Sequence, residues 1–325
     1  MSQNRIKRIG ILTSGGDAQG MNPAIRAIVR SANQQGIEVI AFYNGFKGII
    51  EMNFETLTNQ DVSGLSERGG TILGTMRYPE FKNTETQKEA AIILKNLKID
   101  ALIVLGGDGS MQGANKIKQF YDISIIGIPC TIDNDIFGTN YTLGYDTALN
   151  QARNFISSIK DTASSHSRVF IVEIMGNGAG LLTVEAAIAV GAEGAITEKI
   201  NKNALEKILH NASRKTKKSL ILLVMEGEET GGARGIQKLI QENWGKLYDT
   251  RTSRPQHFLR GGSPSAKDAI IATQMGIKAI EMCLNNISGM IGVIEKGLAV
   301  VDIETLKKRE IDLTESFKIL EATAG

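Results

Sequence analysis

Cysteine and histidine are scarce in this chain: two cysteines and three histidines among 325 residues. Cys130 and Cys283 stand far apart and lack metal-ligand spacing. The common zinc patterns are therefore excluded, and both are expected to be buried thiols in a reducing compartment. No apolar run reaches the roughly 18 residues of a membrane-spanning helix. Met1 to Arg8 is polar and contains no apolar signal core. Blocks of like charge are absent too, and the formal net charge is only +2. Neither a nucleic-acid partner nor a membrane surface is expected from that balance. The tightest basic cluster, Arg214-Lys215-Thr216-Lys217-Lys218, is short and reads as a solvated helix end. These absences together predict a cytoplasmic protein.

What is present points to a large packed core. Apolar residues make up 42% and charged residues 22%, and the length suits two ordinary domains or one large one. Proline is sparse at 5, whereas glycine is abundant at 35. The glycines pair at the ends of apolar runs, where tight turns need them.

Short apolar runs alternate with amphipathic stretches. Strands are predicted at Ile9 to Leu12, Ile37 to Tyr43, Ala101 to Leu105, Ile123 to Ile128, Val169 to Ile174, Leu220 to Met225 and Met290 to Ile294. Helices are predicted at Met21 to Gln35, Gln87 to Leu97, after Gly109, and at Asp146 to Ser158. Further helices fit Gly180 to Ala189, Ala204 to Ala212, Gly235 to Asn243 and Ser265 to Asn285. This is the rhythm of βαβ units. The expected fold class is α/β: two Rossmann-like lobes, each a mainly parallel sheet with helices on both faces. A ligand site is expected outside the C-terminal ends of the strands.

Two glycine turns follow predicted strands and lead into helices: Ser14-Gly15-Gly16-Asp17 and Gly106-Gly107-Asp108-Gly109-Ser110. Glycine lets the backbone approach a phosphate, and the following helix offers free N–H groups. Asp108 suits magnesium, which takes one or two carboxylates plus phosphate oxygens. Ser110 fits either a helix cap or a phosphate donor. Neither turn is a Walker A loop or a dinucleotide fingerprint. The second is similar to the nucleotide turn of NAD kinases, diacylglycerol kinases and phosphofructokinases, which leaves the substrate open.

Pro129-Cys130-Thr131-Ile132-Asp133-Asn134-Asp135 follows another apolar run. If extended, Thr131, Asp133 and Asp135 point the same way. One carboxylate then suits an attacking hydroxyl's proton, and the other a metal-bound water or its neighbour. The alternative is an Asx-type turn with surface aspartates. Arginines recur beside other glycine turns: Arg77 after Arg68-Gly69-Gly70, Arg168 before Val169, and Arg251 and Arg260, with His257, before Gly261-Gly262. Singly these read as surface ion pairs; together they favour a sugar phosphate.

Along nearly its whole length the chain resembles the bacterial ATP-dependent 6-phosphofructokinases. The shared motifs run in order: Leu12 to Asp17, Arg68 to Phe81, Gly106 to Ser110, Thr131 to Asp135, Ser164 to Arg168, Met175-Gly176, and Arg260 to Pro264. The resemblance implies transfer of the ATP γ-phosphoryl to the 1-hydroxyl of fructose 6-phosphate with Mg2+. It implies Asp133 as the base, with Thr131 and Gly16 near the transferred group. Gly16, Arg77, Tyr78, Gly107, Asp108, Gly109 and Ser110 would hold ATP, and Asp108 the metal. Thr131, Ile132, Asp133, Met175, Gly176, Asn177, Glu226, His257, Phe258, Leu259 and Arg260 would hold the sugar phosphate. Arg168 and Arg251 would reach it from a neighbouring subunit of a homotetramer.

An effector site for ADP or phosphoenolpyruvate would use Arg26, Arg30, Lys160, Gly191, Ala192, Glu193, Lys215, Lys217 and Lys218, with Glu193 as a second metal ligand. The implied lobes are 1–139 plus about 252–302 for ATP, and 140–251 plus about 303–325 for the sugar.

The chain departs from that family at several places. Asn177 replaces an arginine expected near the transferring phosphoryl, Gln19 a proline, and Cys130 a glycine. Pyrophosphate-dependent relatives tend to carry aspartate and lysine at the positions of Gly109 and Cys130, so these two residues favour ATP. In the effector site Asn59, Gly64 and Lys160 replace expected arginine, aspartate and arginine, which predicts weakened or altered control. A pyrophosphate-dependent enzyme and a catalytically weak regulatory subunit are the alternatives.

Overall fold

The computed structural model describes residues 6–166, 168–176, 178–213 and 219–323. The chain forms two compact units: Met1–Thr147 with Gly262–Arg309, and Ala148–Gly261 with Glu310–Gly325.

The first stretch of the first unit runs β1 (Arg8–Ser14), α1 (Met21–Gln34), β2 (Glu38–Phe42), α2 (Phe46–Ile50), β3 (Phe54–Leu57), α3 (Thr84–Asn96), β4 (Ala101–Gly106), α4 (Asp108–Lys116) and β5 (Ser124–Pro129). Helix α5 (Tyr145–His166) carries the chain into the second unit. There follow β6 (Val169–Ile174), α6 (Leu181–Val190), β7 (Gly194–Ile196), α7 (Lys202–Ser213), β8 (Leu220–Met225), α8 (Gly232–Trp244) and β9 (Thr250–Ser253). The chain then returns to the first unit with α9 (Ala266–Leu284), β10 (Gly289–Ile294) and β11 (Gly297–Val301), and ends in α10 (Thr314–Thr323).

The first unit holds a seven-stranded sheet in the order β11-β10-β5-β4-β1-β2-β3. Its five central strands are parallel and its two edge strands antiparallel. Strands β4 and β5 are buried at every residue, as a sheet covered on both faces requires. On one face Leu12, Leu102, Val104 and Ile125 pack with Phe46, Leu94 and Met111. Ile11 and Ile103, which alternate with these, are also fully buried. Helices α1 and α9 pack against each other and against β2 and β5 respectively. Gly276 permits their close approach, because a Cβ there would lie 2.6 Å from the Ala27 Cβ.

The second unit holds a parallel four-stranded sheet, β7-β8-β6-β9. Its core combines Ile171, Leu222 and Val224 with Leu205, Leu209, Ile236 and Ile240 from the helices. Cys130 and Cys283 are both free and buried, as expected. Burial raises both thiols, Cys283 to about 12. Among the described residues no helix is long and apolar enough to cross a membrane.

Candidate functional site

The two glycine turns lie side by side. Strands β1 and β4 pair in parallel with Ser14 opposite Gly106. The chain leaves β1 toward β2 on one side and later takes up β4 on the other. Open α/β sheets hold ligands outside the carboxyl ends of strands at such a reversal. Ser110 Oγ donates to Ser14 Oγ at 3.0 Å, which joins the turns. It therefore does not cap α4, whose N-cap is Gly107. Gly106 is obligatory, since a Cβ would run into the Ser14 carbonyl oxygen. Above Gly107 and Gly109 the opposite holds, with nothing among the described residues within 4 Å of a Cβ position. Half-buried Asp108 sits in the first turn of α4 at this open floor. Gly16, also half-buried, lies in the β1 turn.

The loop from Arg68 to Arg77 is fastened beside the β1 turn by side chains. Gln19 Oε1 accepts from Gly70 N at 2.7 Å. Asn22 Nδ2 donates to the carbonyls of Arg68 and Gly69, and its Oδ1 accepts from Ile72 N at 2.8 Å. Thr13 Oγ1 donates to Gly74 O at 2.6 Å, and Thr75 Oγ1 to Gly15 O at 2.8 Å. Gln19, where the resembling family has proline, thus anchors the loop that presents Arg77. Arg77 is exposed, and Tyr78 packs partly against the core.

The carboxylate segment is not extended, which corrects the sequence reading. The backbone bends at Ile132 and Asp133, and Asn134 takes a left-handed φ of 50°. The period-two alignment is thereby broken, and the two aspartates meet different surroundings. Asp135 is buried to 7% exposure and pairs with Lys308 Nζ at 2.9 Å. Asp133 is half-buried, and its N–H donates to Thr131 Oγ1 at 3.2 Å. Ile132 is buried beneath the loop. Thr142 Oγ1 donates to Thr131 O at 2.7 Å.

A segment from the far end of the chain braces this loop. Ile136 and Lys308 form an antiparallel bridge. Phe137 N donates to Lys307 O, and Arg309 N to Asp135 O. The Arg309 guanidinium donates to Asn134 O at 2.9 Å and Thr139 O at 3.1 Å. The Lys308 ammonium is held above its ordinary value, first by the hydrogen bond to Asp135, and also by the charges of Asp135, Asp133 and Asp108. Lys308 therefore brings the carboxylates of the β4 turn and of this loop into one electrostatic neighbourhood.

In the second unit, the residues assigned to the sugar phosphate gather at the C-terminal ends of β6, β8 and β9. Met175 and Gly176 follow β6, and Glu226 follows β8, its N–H donating to Ile174 O. After β9, residues Gln256–Arg260 form a 3-10 turn. His257 and Phe258 are exposed, Leu259 is buried and Arg260 is half-buried. Phe258 packs its ring against Phe155. Arg168 and Arg251 share one carboxylate: Asp249 accepts from Arg168 at 2.7 Å and from Arg251 at 2.5 Å. Both arginines help hold its carboxyl below the usual carboxylate range. Asn177 lies outside the described residues.

Of the residues assigned to an effector, Lys160 and the Gly191 to Glu193 turn come together. Lys160 Nζ donates to Val190 O, and Gly191 closes α6 with a left-handed φ of 59°. Glu193 is buried and accepts from Ile221 N at 2.6 Å. Arg26 and Arg30 lie on α1 and are half-buried. Lys215, Lys217 and Lys218 fall outside the described residues.

Lys308, Arg309 and Asp268 escape the sequence reading. The Lys307-Lys308-Arg309 triplet is a visible basic run, but Asn134, which Arg309 grips, lies 175 positions away. Fully buried Asp268 accepts from Tyr141 Oη at 2.7 Å, Gly144 N at 2.8 Å, Thr147 N at 2.9 Å and Thr147 Oγ1 at 2.5 Å. It secures the entry to α5. Burial raises its pKa despite these donors.

Comparison with known proteins sets this geometry in a lineage. The phosphofructokinase family profile matches residues 8–283. The ATP-dependent 6-phosphofructokinase 2 of Bacteroides thetaiotaomicron is 45% identical over 283 residues, covering 86% of each chain. The ATP-dependent 6-phosphofructokinase 1 of Thermus thermophilus is 40% identical over 311 residues, covering 95% of this chain and 96% of its own. Among solved structures, the phosphofructokinase of Saccharomyces cerevisiae matches 98% of this chain with a TM-score of 0.84 and 30% identity. This chain spans 47% of that yeast chain. The pyrophosphate-dependent phosphofructokinase of Marinobacter aquaeolei shares the fold, with a TM-score of 0.80 at 19% identity.

Proposed function

Since the chain belongs to the phosphofructokinase family, we propose that it transfers the γ-phosphoryl group of ATP to the 1-hydroxyl of fructose 6-phosphate. The product is fructose 1,6-bisphosphate, and the reaction belongs to glycolysis. One observation carries the reading most directly. The β1 and β4 turns are joined at the sheet's reversal, and the space over Gly107 and Gly109 is open. Backbone N–H groups at such a floor suit a polyphosphate.

Asp133 takes the proton of the attacking hydroxyl, and its half-buried position leaves it accessible for that role. Gly16 and Thr131 flank the group in transfer. Arg77, Tyr78, Gly107, Asp108, Gly109 and Ser110 bind the nucleotide. Magnesium fits the donors present. Asp108 supplies a hard carboxylate oxygen at the open floor of the β4 turn, and magnesium takes one or two carboxylates together with phosphate oxygens and water. When bound, it neutralises charge on the phosphates. The catalytic contribution of the protein is chiefly positioning and charge stabilisation.

The second unit's set binds the sugar phosphate: Met175, Gly176, Asn177, Glu226 and the turn from His257 to Arg260. Arg168 and Arg251 serve the site of a neighbouring subunit in a cytoplasmic homotetramer. ADP or phosphoenolpyruvate acts at Arg26, Arg30, Lys160, the Gly191 to Glu193 turn, and Lys215, Lys217 and Lys218.

ATP as donor is supported by the names of the relatives and by Gly109 and Cys130. A coupled assay with fructose 6-phosphate tests this. Turnover is expected with ATP and not with pyrophosphate. Turnover with pyrophosphate alone, or with neither donor, overturns the proposal.

A further inference from the structure

We infer that Arg254 and Glu173 are a positioning pair for the sugar-phosphate site: their ion pair fixes the turn from His257 to Arg260 against the end of β6, where Met175 and Gly176 lie. The inference rests on the kinase reading above.

Strands β6 and β9 run parallel, with Val172 opposite Ser253. The next residues, Glu173 and Arg254, therefore stand side by side. Arg254 Nη2 reaches Glu173 Oε2 at 2.8 Å. The same oxygen accepts from Ala233 N, in the first turn of α8, at 2.8 Å. A helix N-terminus favours a carboxylate, and Gly232 makes room for this one, since a Cβ there would run into Glu173 Oε2. A second carboxylate comes to the same helix start from the β8 side. Buried Glu228 accepts from Thr230 N and Gly232 N, each at 2.8 Å, and Glu226 lies two residues before it. The start of α8 thus ties together the segments that follow β6, β8 and β9. Each of these carries residues assigned to the sugar phosphate.

Arg254 also governs where His257 falls. Only Pro255 and Gln256 separate the two. Pro255 is buried, and its ring restricts φ, here −66°. Gln256 takes a left-handed φ of 44°, uncommon for a residue other than glycine. Phe258 N closes the turn on Pro255 O at 3.0 Å. Little backbone freedom remains between the anchored arginine and the turn. The two side chains are 36% and 12% exposed, so the pair adds little to overall stability. Its effect falls on the position of the turn, and small misplacements of binding groups weaken a site steeply.

The test compares wild type with Arg254→Met, Arg254→Lys, Glu173→Gln and the double variant Arg254→Met/Glu173→Gln. Glutamine keeps an acceptor for Ala233 N and removes the charge. Each protein is assayed for kcat and for KM of both substrates, and its binding of fructose 6-phosphate alone is measured by calorimetry. In Arg254→Met we expect KM and Kd for fructose 6-phosphate to rise about five- to tenfold, while KM for ATP and kcat move less than about twofold. Arg254→Lys is expected to recover most of the affinity. The double variant is expected to match Arg254→Met instead of summing the two single losses, because the residues act as a pair. Unchanged KM and Kd for fructose 6-phosphate in Arg254→Met overturn the inference. So do additive losses, or a fall in Tm with both substrates affected alike, since these mark a general brace. If wild type binds fructose 6-phosphate without ATP-dependent turnover, the kinase reading fails and the calorimetric comparison still decides the pair. If wild type does not bind the sugar phosphate, both readings fall.

Discussion

Asp133 and Asp135 share a charge and nearly a position, yet a left-handed Asn134 and a lysine from the chain's far end give them different surroundings. A positioned base typically contributes roughly 10²–10⁴-fold in rate. Asp133→Asn is therefore expected to lower kcat by at least about 10²-fold, with little change in KM for fructose 6-phosphate. Steady-state kinetics on the purified variant decides it, and near-normal turnover rejects the assignment. Gly109 offers a second single-residue test. Among the described residues nothing lies within 4 Å of a Cβ there, so a side chain costs the fold little and meets a bound nucleotide. Gly109→Asp is expected to raise the KM for ATP about tenfold or more, a loss of about 1.4 kcal/mol, while Tm stays near wild type. A fall in Tm with unchanged KM contradicts that reading. The glycine turns were legible in the sequence because local geometry dictates them: a strand ends, the backbone turns tightly, and a helix begins. The Lys308 pairing was not, because nothing local to residues 133–135 specifies which distant cation meets them.

At the scale of elements, legibility followed burial. Strand β8 is an unbroken apolar run and β6 is interrupted by Glu173 alone, and the limits of both agree with the sequence reading residue for residue. The edge strands β3 and β11 alternate irregularly between half-buried and exposed positions, so no periodic signal marked them. The short strands β7 and β9 and the helices α2 and α10 were likewise unforeseen. Helix α5 extends beyond the predicted Ser158 to His166, where polar residues dilute the helical pattern. Its entry depends on a buried charge that propensity does not encode. Asp268→Ala leaves the Tyr141 hydroxyl and the donors of Gly144 and Thr147 without their acceptor. Unsatisfied buried donors cost about 1–3 kcal/mol each, and breaking a buried charged network about 3–5 kcal/mol. A destabilisation of about 3 kcal/mol or more is expected in denaturant unfolding; a change under about 1 kcal/mol contradicts the role.

For the whole molecule, the residues assigned to an effector show partial departures. Asn59, where an arginine was expected, accepts from Asn33 Nδ2 at 3.3 Å. Lys160 spends its ammonium on the Val190 carbonyl. A weakened response is therefore expected: fructose 6-phosphate saturation curves shift little on adding ADP or phosphoenolpyruvate. Strong sigmoidal behaviour relieved by one and imposed by the other contradicts this.

The first unit is assembled from two stretches of chain separated by the second unit. On a ribosome, the four parallel strands of the second unit emerge before β10, β11 and the Lys307 to Arg309 strap. The nascent chain therefore passes through a long interval in which β5 lacks its outer neighbours and the Asp133 loop has no brace. A segment translated after the second unit's sheet thus sets the geometry of a loop made before it. Premature termination anywhere before Arg309 is expected to yield a protein that has its glycine turns but not its ordered carboxylates.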